Sequence, residues 1–270
     1  MLNMEKAILI TGVSGGIGSA CAKKFLDEGY VVFGLDYKAP KEENEHLKFV
    51  KTDLTKESEV IAAFKQIKAT SYKLEAILHC AGICDLNSLI EMSEEDFIMT
   101  FDINVFASFR VNKTFLPILK EKGKIILISS EQGPQDPLPF NGIYGMSKAL
   151  VEKYAYSLRM ELQLLGYQVV VIRPGAVNTQ MLKGSQNKLE EFTKTTTHYQ
   201  YNSKRFKEIV ESVESKNLPP SKIANLIYKV SNKKKPRYVY KINRNPGLIF
   251  LNILPKRFKN WVIKKILTSK

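Results

Sequence analysis

Short, mostly apolar runs alternate with amphipathic stretches along most of this chain. Seven such runs lie at residues 6–11, 31–35, 47–50, 75–79, 124–128, 169–172 and 237–242. Most of the stretches between them carry apolar residues three and four positions apart, which is the period of a helix with one buried face. Strands that alternate with helices in this way predict an α/β fold, with a mainly parallel, doubly wound sheet and right-handed crossovers.

Helix boundaries and domain limits are also visible in the sequence. Ser93 precedes three acidic residues, a pattern typical of a helix N-terminus, and Pro117 is expected to break the helix that begins there. We find no internal repeat and no linker, so residues 1–245 are predicted to form one Rossmann-type domain. A polar, helical lid is predicted at about 180–216, and residues 246–270 form a C-terminal extension.

Composition and charge narrow the class of protein. The chain has 270 residues, of which 44% are hydrophobic, enough for one large core or two small ones. Residues 1–182 hold 20 basic and 22 acidic side chains, whereas residues 183–270 hold 21 and 5, so an anionic partner is expected to meet the C-terminal third. The cysteines and histidines lack metal-site spacing, and the N-terminus lacks a signal-like pattern. We therefore expect a cytoplasmic protein without a metal.

A glycine-rich turn follows the first predicted strand and opens the first predicted helix. In the sequence TGVSGGIG, the residues expected to bind a dinucleotide pyrophosphate are Gly12, Ser14, Gly15, Gly16, Ile17 and Gly18. Asp36, at the end of the second strand, would accept hydrogen bonds from the adenosine ribose hydroxyls and repel a 2′-phosphate. The sequence therefore favours NAD over NADP, although Lys38 lies close enough to weaken the distinction.

Tyr144 and Lys148 lie four residues apart in a predicted helix that runs to about Leu165, so their side chains share one face. A phenol with a pKa of about 10 is a poor proton acceptor near neutral pH. A fixed ammonium within ~5 Å is expected to lower that pKa towards the range of a general acid or base. Because ordinary surface helices also carry such pairs, the assignment depends on the residues that accompany this one.

Taken in order, these residues resemble a short-chain dehydrogenase/reductase over residues 5–242. The landmarks are the glycine loop, Asp36, Asp53 in Thr-Asp-Leu-Thr, His79-Cys80-Ala81-Gly82, Asn104, Ser130, Tyr144 with Lys148, and Arg173-Pro174-Gly175. The resemblance implies that Tyr144 exchanges a proton with the substrate oxygen, while Lys148 lowers its pKa and holds the nicotinamide ribose. It implies that Ser130 binds the substrate carbonyl and that Asn104 holds a water linked to Lys148.

The same resemblance assigns the remaining cofactor contacts. It places Asp53 at the adenine, Thr179 at the nicotinamide carboxamide and the backbone of Val177 at the same amide. It also implies cofactor contacts for Leu54, Ala81, Gly82, Tyr144, Pro174 and Gly175. Taken alone, Asn104 also suits a helix kink or a cap.

Two positions depart from the family pattern. The usual Asn-Asn-Ala-Gly reads His79-Cys80-Ala81-Gly82, which removes a polar side chain that ties neighbouring strands together and puts local rigidity in question. Ser130 lies 14 residues before Tyr144, where 13 is commonest, so Ser129 competes with it. We favour Ser130 because Gly133 follows it three residues later, as in the family.

The C-terminal extension is basic and amphipathic. Phe258, Trp261 and Ile266 share one helical face, and Lys256 and Arg257 are among the basic residues around the rest. A basic helix that carries Trp can lie in a membrane interface. The same pattern also suits packing against the protein's own cleft or a partner subunit, and no nucleic-acid partner is expected.

Together these features predict an NAD(H)-dependent oxidoreductase acting on a secondary alcohol or ketone of a lipophilic substrate. The resemblance suggests steroids, retinoids or other lipids as the substrate class, and a homodimer or homotetramer. An NADPH-dependent ketoreductase is the nearest alternative. The other alternative is a nucleotide-binding regulator or membrane-surface scaffold without useful turnover, which has no need of Ser130, Tyr144 and Lys148.

Overall fold

The computed structural model describes residues 6–214 and 217–269. Three parts of the predicted units lie outside these described residues: 1–5 of the domain, 215–216 of the lid and residue 270 of the extension. Within the described part, the strands are β1 Ala7–Thr11, β2 Val31–Asp36, β3 Leu47–Lys51, β4 Leu74–His79, β5 Leu119–Ile128, β6 Gln168–Pro174 and β7 Val239–Ile242. They form one parallel sheet in the order β3-β2-β1-β4-β5-β6-β7. This order confirms the doubly wound Rossmann-type fold.

Helices cover both faces of the sheet. Those of the described residues are α1 Gly16–Asp27, α2 Glu57–Lys68, α3 Glu94–Phe101, α4 Ala107–Phe115, α5 Gly142–Leu162, α6 Gln180–Thr195, α7 Gln200–Glu214, α8 Pro220–Ser231, α9 Pro246–Ile253 and α10 Lys256–Thr268. One core packs α2, α4 and α5 against the sheet, with Val60, Val111 and Val151 buried. The other packs α1 and α8 against the opposite face through Phe25 and Ile227. The sheet is thus buried on both sides, as its continuous apolar strands predict.

Two elements differ from the sequence prediction. β5 begins at Leu119 rather than at residue 124, because Leu119 already pairs with Leu74 before the register shifts. The helical stretch that Ser93 caps ends at Phe115, next to Pro117 as predicted, but a π-helical turn at Asp102–Phe106 interrupts it. Such π-helical turns are rare overall, but many of those that occur lie at functional sites.

The lid and the extension share a third apolar cluster. Its buried members are Leu86, Phe140, Leu189, Phe192, Phe206 and Leu267. They come from the loop after β4, the loop before α5, the lid helices α6 and α7, and α10. The extension therefore packs on the lid through one of its faces. Among the described residues, no helix combines the length and the apolar character needed to cross a membrane.

Candidate active site

The glycine loop joins β1 to α1 at the carboxyl edge of the sheet. Gly12 has a φ of +68°, and a Cβ there would lie 2.6 Å from the backbone nitrogen of Ala81. A Cβ on Gly18 would lie 1.9 Å from the backbone oxygen of Gly12. Larger side chains are therefore excluded at both positions, since the colliding atoms belong to the backbone. This close packing places the first-turn N–H groups of α1 at the sheet edge, where such groups are suited to bind an anion.

Asp36 ends β2 beside this loop. Its carboxylate accepts hydrogen bonds from the backbone N–H groups of Ser14, at 3.0 Å, and Lys38, at 3.1 Å. The Lys38 ammonium instead lies over the Tyr37 ring, 5.0 Å from its centroid. Asp36 is thus fixed next to the glycine loop, where the adenosine ribose of a dinucleotide would lie.

The residues expected at the adenine make local contacts. The Asp53 carboxylate accepts hydrogen bonds from the Thr55 hydroxyl, at 2.7 Å, and from the Thr55 N–H, at 3.0 Å. These bonds hold the pKa of Asp53 below its usual value. Leu54 is buried beside it, and its carbonyl accepts a hydrogen bond from Arg110. The Asp53 side chain thus organises the turn before α2.

The loop after β6 lies against the glycine loop. Pro174 ends β6, Gly175 continues the backbone pairing with β7, and Val177 forms a bridge with Leu218. The Thr179 hydroxyl caps α6. A Cβ placed on Gly16 would lie only 2.6 Å from the methyl carbon of Thr179. The two predicted cofactor segments are therefore in direct contact.

Asn104 lies in the π-helical turn, buried under the loop after β4. Its Nδ2 donates to the Ile83 carbonyl at 3.0 Å and to the Ser147 hydroxyl at 2.9 Å, and its Oδ1 accepts the Ile83 N–H at 2.8 Å. A Cβ on Gly82 would lie 3.1 Å from that Oδ1 and 3.6 Å from the Lys148 ammonium. The π-helical turn thus places Asn104 at the start of α5, beside Lys148. Asn104 also lies in a helix irregularity, as its alternative interpretation expected.

Tyr144 and Lys148 lie in the first turns of α5, as the spacing predicts. The Lys148 Nζ donates to the Ile128 carbonyl at 3.1 Å and lies 5.7 Å from the centroid of the Tyr144 ring. Burial lowers the pKa of Lys148 to about 8. An ammonium at this position is therefore close to losing its proton under mildly alkaline conditions.

Burial is the main influence on the pKa of Tyr144 in this structure, and the effect of Lys148 on that pKa stays a prediction. Burial raises the pKa of Tyr144 well above its usual value, Cys84 and Glu131 raise it further, and a hydrogen bond with Ser130 opposes them. Desolvation of the phenol disfavours its charged form. Tyr144 therefore carries its proton at neutral pH.

Ser130 and Ser129 have different environments. Ser130 hydrogen-bonds Tyr144, and its Oγ accepts the Gln132 N–H at 3.2 Å. The buried Ser129 Oγ lies under Gly133, where a Cβ would approach it to 2.6 Å. The structure brings Ser130, rather than Ser129, to the tyrosine.

His79 replaces the lost polar tie by another route. Buried at the end of β4, its Nε2 lies 2.8 Å from the Asn112 Oδ1, and the Asn112 Nδ2 donates to the Tyr154 hydroxyl at 3.0 Å. This chain connects β4 to α4 and α5. Burial lowers the pKa of His79 to about 4, so the imidazole is neutral near pH 7. His79 thus anchors the end of β4 to two helices rather than to a neighbouring strand.

Two buried carboxylates near the site escaped the sequence reasoning. Glu152 forms a bidentate pair with Arg173, with both N–O distances at 2.8 Å, and joins α5 to β6. Glu131, directly after Ser130, accepts the Asn245 N–H at 2.7 Å, and burial raises its pKa. Only closeness in sequence to Ser130 and Lys148 could have indicated these two carboxylates, because their partners lie 114 and 21 positions away.

The comparisons with known proteins agree with this geometry. A family model described as short chain dehydrogenase matches residues 6–190. The 3-ketodihydrosphingosine reductase of Bacteroides thetaiotaomicron is 28% identical over 257 residues, which cover 94% of this chain and 92% of that protein. The NADPH-dependent 3-dehydrocapnine reductase of Ornithobacterium rhinotracheale is 29% identical over 276 residues, which cover 95% of each.

Solved structures show the same fold. A short chain dehydrogenase family protein from Francisella tularensis subsp. tularensis SCHU S4 has a TM-score of 0.74 at 24% identity, covering 88% of this chain and 97% of that chain. With the family match, this establishes that the chain belongs to the short-chain dehydrogenase family. It is therefore an oxidoreductase that acts on CH–OH or keto groups with a nicotinamide dinucleotide.

The residues present are compatible with such a cofactor. The N-terminus of α1 offers backbone donors, and the fixed Asp36 carboxylate lies next to them. A bound dinucleotide would supply or accept the hydride. The proton that accompanies the hydride would be exchanged by side chains of the protein.

Proposed function

We propose that this enzyme reduces the keto group of a long-chain lipid. The observation that carries the proposal is the juxtaposition of Ser130, Tyr144 and Lys148 with an apolar cluster shared by lid and extension. Two relatives that match over almost their whole length are named for the reduction of 3-ketodihydrosphingosine and 3-dehydrocapnine. Both names describe keto compounds, which supports reduction as the direction.

In this proposal Tyr144 donates a proton to the substrate oxygen. The phenol is protonated at neutral pH, and the protonated form is the one that a reduction requires. Ser130 donates a hydrogen bond to the same oxygen as negative charge develops there. Lys148 holds the nicotinamide ribose, and Asn104 fixes the wide turn beside it and holds a water that reaches Lys148.

For the cofactor we propose NADH, with NADPH as the alternative. Asp36 supports NADH, because its carboxylate is fixed where a 2′-phosphate would be repelled. The name of the 3-dehydrocapnine reductase supports NADPH. Titration of both cofactors by fluorescence distinguishes them, and tighter binding of NADPH would contradict the assignment. Asp36→Ala should then improve NADPH binding at the expense of NADH.

The function is tested with purified full-length protein and each reduced cofactor. The assay follows loss of reduced nicotinamide with 3-ketodihydrosphingosine, a long-chain 2-alkanone and a steroid ketone. We expect turnover with the long-chain ketones in the first two cases. Turnover of the steroid alone would reject the proposed chain-like substrate, and turnover of none would favour a binding protein.

We also propose that the enzyme forms a homodimer or homotetramer through α4 and α5. Phe106, Phe109, Tyr156 and Met160 are between 47% and 54% exposed near or on these helices. Burial of such a surface between copies would stabilise an oligomer. Sedimentation velocity tests this, and a monomer at all concentrations would contradict it.

A further inference from the structure

We propose that the outward face of α9 and α10 binds the surface of an anionic phospholipid membrane. The surface consists of Phe250, Ile253, Phe258 and Trp261, together with the basic residues Arg257, Lys264 and Lys265. The membrane would present a lipid substrate to the catalytic edge of the sheet. Presentation of a lipid substrate rests on the proposed function, whereas binding to the membrane is a property of the surface itself.

The inward face of α10 is already occupied by the protein. Lys259 is buried and pairs with Asp136 in the loop before α5, and Leu267 is buried in the cluster shared with the lid. The Leu267 carbonyl accepts a hydrogen bond from Asn202 at 2.8 Å, and the Ser269 carbonyl accepts one from Tyr201 of α7. Packing on the protein therefore fixes which face of α10 points outward.

The outward face is unusually apolar. Phe250 is 64% exposed, Ile253 76%, Phe258 51% and Trp261 55%. None of the α9 residues is buried. The rings of Phe258 and Trp261 stack with their centroids 5.7 Å apart. Exposed aromatic side chains at this density are characteristic of proteins that insert into the membrane–water interface.

The charge of the extension selects an anionic surface. Residues 246–269 contain five basic side chains and no acidic one. Lys259 and Lys256 face Asp136, which leaves Arg257, Lys264 and Lys265 exposed, with the Lys265 ammonium 5.3 Å from the Trp261 ring centroid. A surface that is both apolar and positive matches a bilayer of anionic lipid, and each basic residue near such a bilayer strengthens binding about fivefold.

The position of the extension connects this surface with the active site. α9 follows the carboxyl end of β7, the same sheet edge that carries Ser130 at the end of β5. The Asn245 N–H, which precedes α9, bonds to Glu131, the residue after Ser130. A bilayer against the extension therefore lies at the catalytic edge, where a lipid would enter under the lid.

The test is flotation of the full-length protein with vesicles of phosphatidylglycerol and phosphatidylcholine, compared with phosphatidylcholine alone. We expect flotation with the anionic vesicles and a loss of at least about tenfold in Trp261→Glu, in Ile253→Glu and in Lys264→Glu/Lys265→Glu. The matched controls are Leu164→Glu, an exposed apolar residue after α5, and Lys234→Glu/Lys235→Glu before β7. Both controls lie at the opposite sheet edge and should float like wild type.

Circular dichroism and turnover of a short, water-soluble ketone confirm that each variant is folded. Failure of the wild type to float, or equal losses in the control variants, would overturn the proposal. A change in oligomeric state in Trp261→Glu, with flotation unchanged, would instead identify a second copy of the chain as the occupant. Flotation without turnover of any long-chain ketone would reject the proposed function and leave the membrane surface standing.

Discussion

Acidification should destabilise this protein through His79. The imidazole is 4% exposed, and its pKa falls from the usual 6.5 to about 4, because burial disfavours the cation more than the bond to Asn112 favours it. Below about pH 6.5 the unfolded chain therefore binds a proton that the folded chain does not. The free energy of unfolding falls as the pH falls, by ~2 kcal/mol between about pH 7 and pH 5 and by ~3 kcal/mol in the limit.

Urea unfolding at a series of pH values measures this effect against His79→Asn. The variant has no imidazole to protonate, so its loss of stability over the same interval should be smaller by ~2 kcal/mol. The matched control is His46→Asn, since His46 is exposed on the loop before β3 and its replacement should leave the wild-type slope unchanged. If His79→Asn lost as much stability as the wild type, the buried neutral imidazole would be refuted.

Three further results are expected. Gly18→Ala should weaken dinucleotide binding at least tenfold by calorimetry, because its Cβ would lie 1.9 Å from a backbone oxygen, whereas Gly184→Ala, with open space around it, should bind normally. Glu152→Gln should lower the free energy of unfolding by about 3 kcal/mol in urea, since it leaves Arg173 without its buried partner. Dinucleotide affinity should fall as the pH rises through about 8, where Lys148 loses its charge, and Lys148→Met should bind weakly without that dependence.

The parts of the site that could be predicted are those that short stretches of sequence determine. A side chain at Gly12 or Gly18 would collide with the backbone. The glycines that this close packing requires can therefore be recognised in the sequence. Tyr144 and Lys148 share a face because helical periodicity alone places them there. Alternating strands and helices likewise predicted a parallel, doubly wound sheet, whereas its strand order came from the structure.

The rest depends on contacts between distant residues. No local pattern shows that Asn245 bonds to Glu131, or that Lys259 is buried against Asp136. The raised pKa of Tyr144 was not predictable, because desolvation is set by the whole packed environment, whereas the helical spacing reports only the nearby ammonium. The extension's two alternatives were also not separable, since a helical pattern does not reveal which face the protein covers.

Replacement of the proposed proton donor tests the catalytic proposal most directly. Turnover of 3-ketodihydrosphingosine by Tyr144→Phe should be measured together with binding of the reduced cofactor to the same sample. We predict a fall in kcat of at least about a hundredfold with a much smaller change in the cofactor Kd, because the variant loses only the phenolic hydroxyl and keeps the glycine loop, Asp36 and Lys148. Turnover at the wild-type rate by a Tyr144→Phe enzyme that binds cofactor normally would contradict the role of Tyr144.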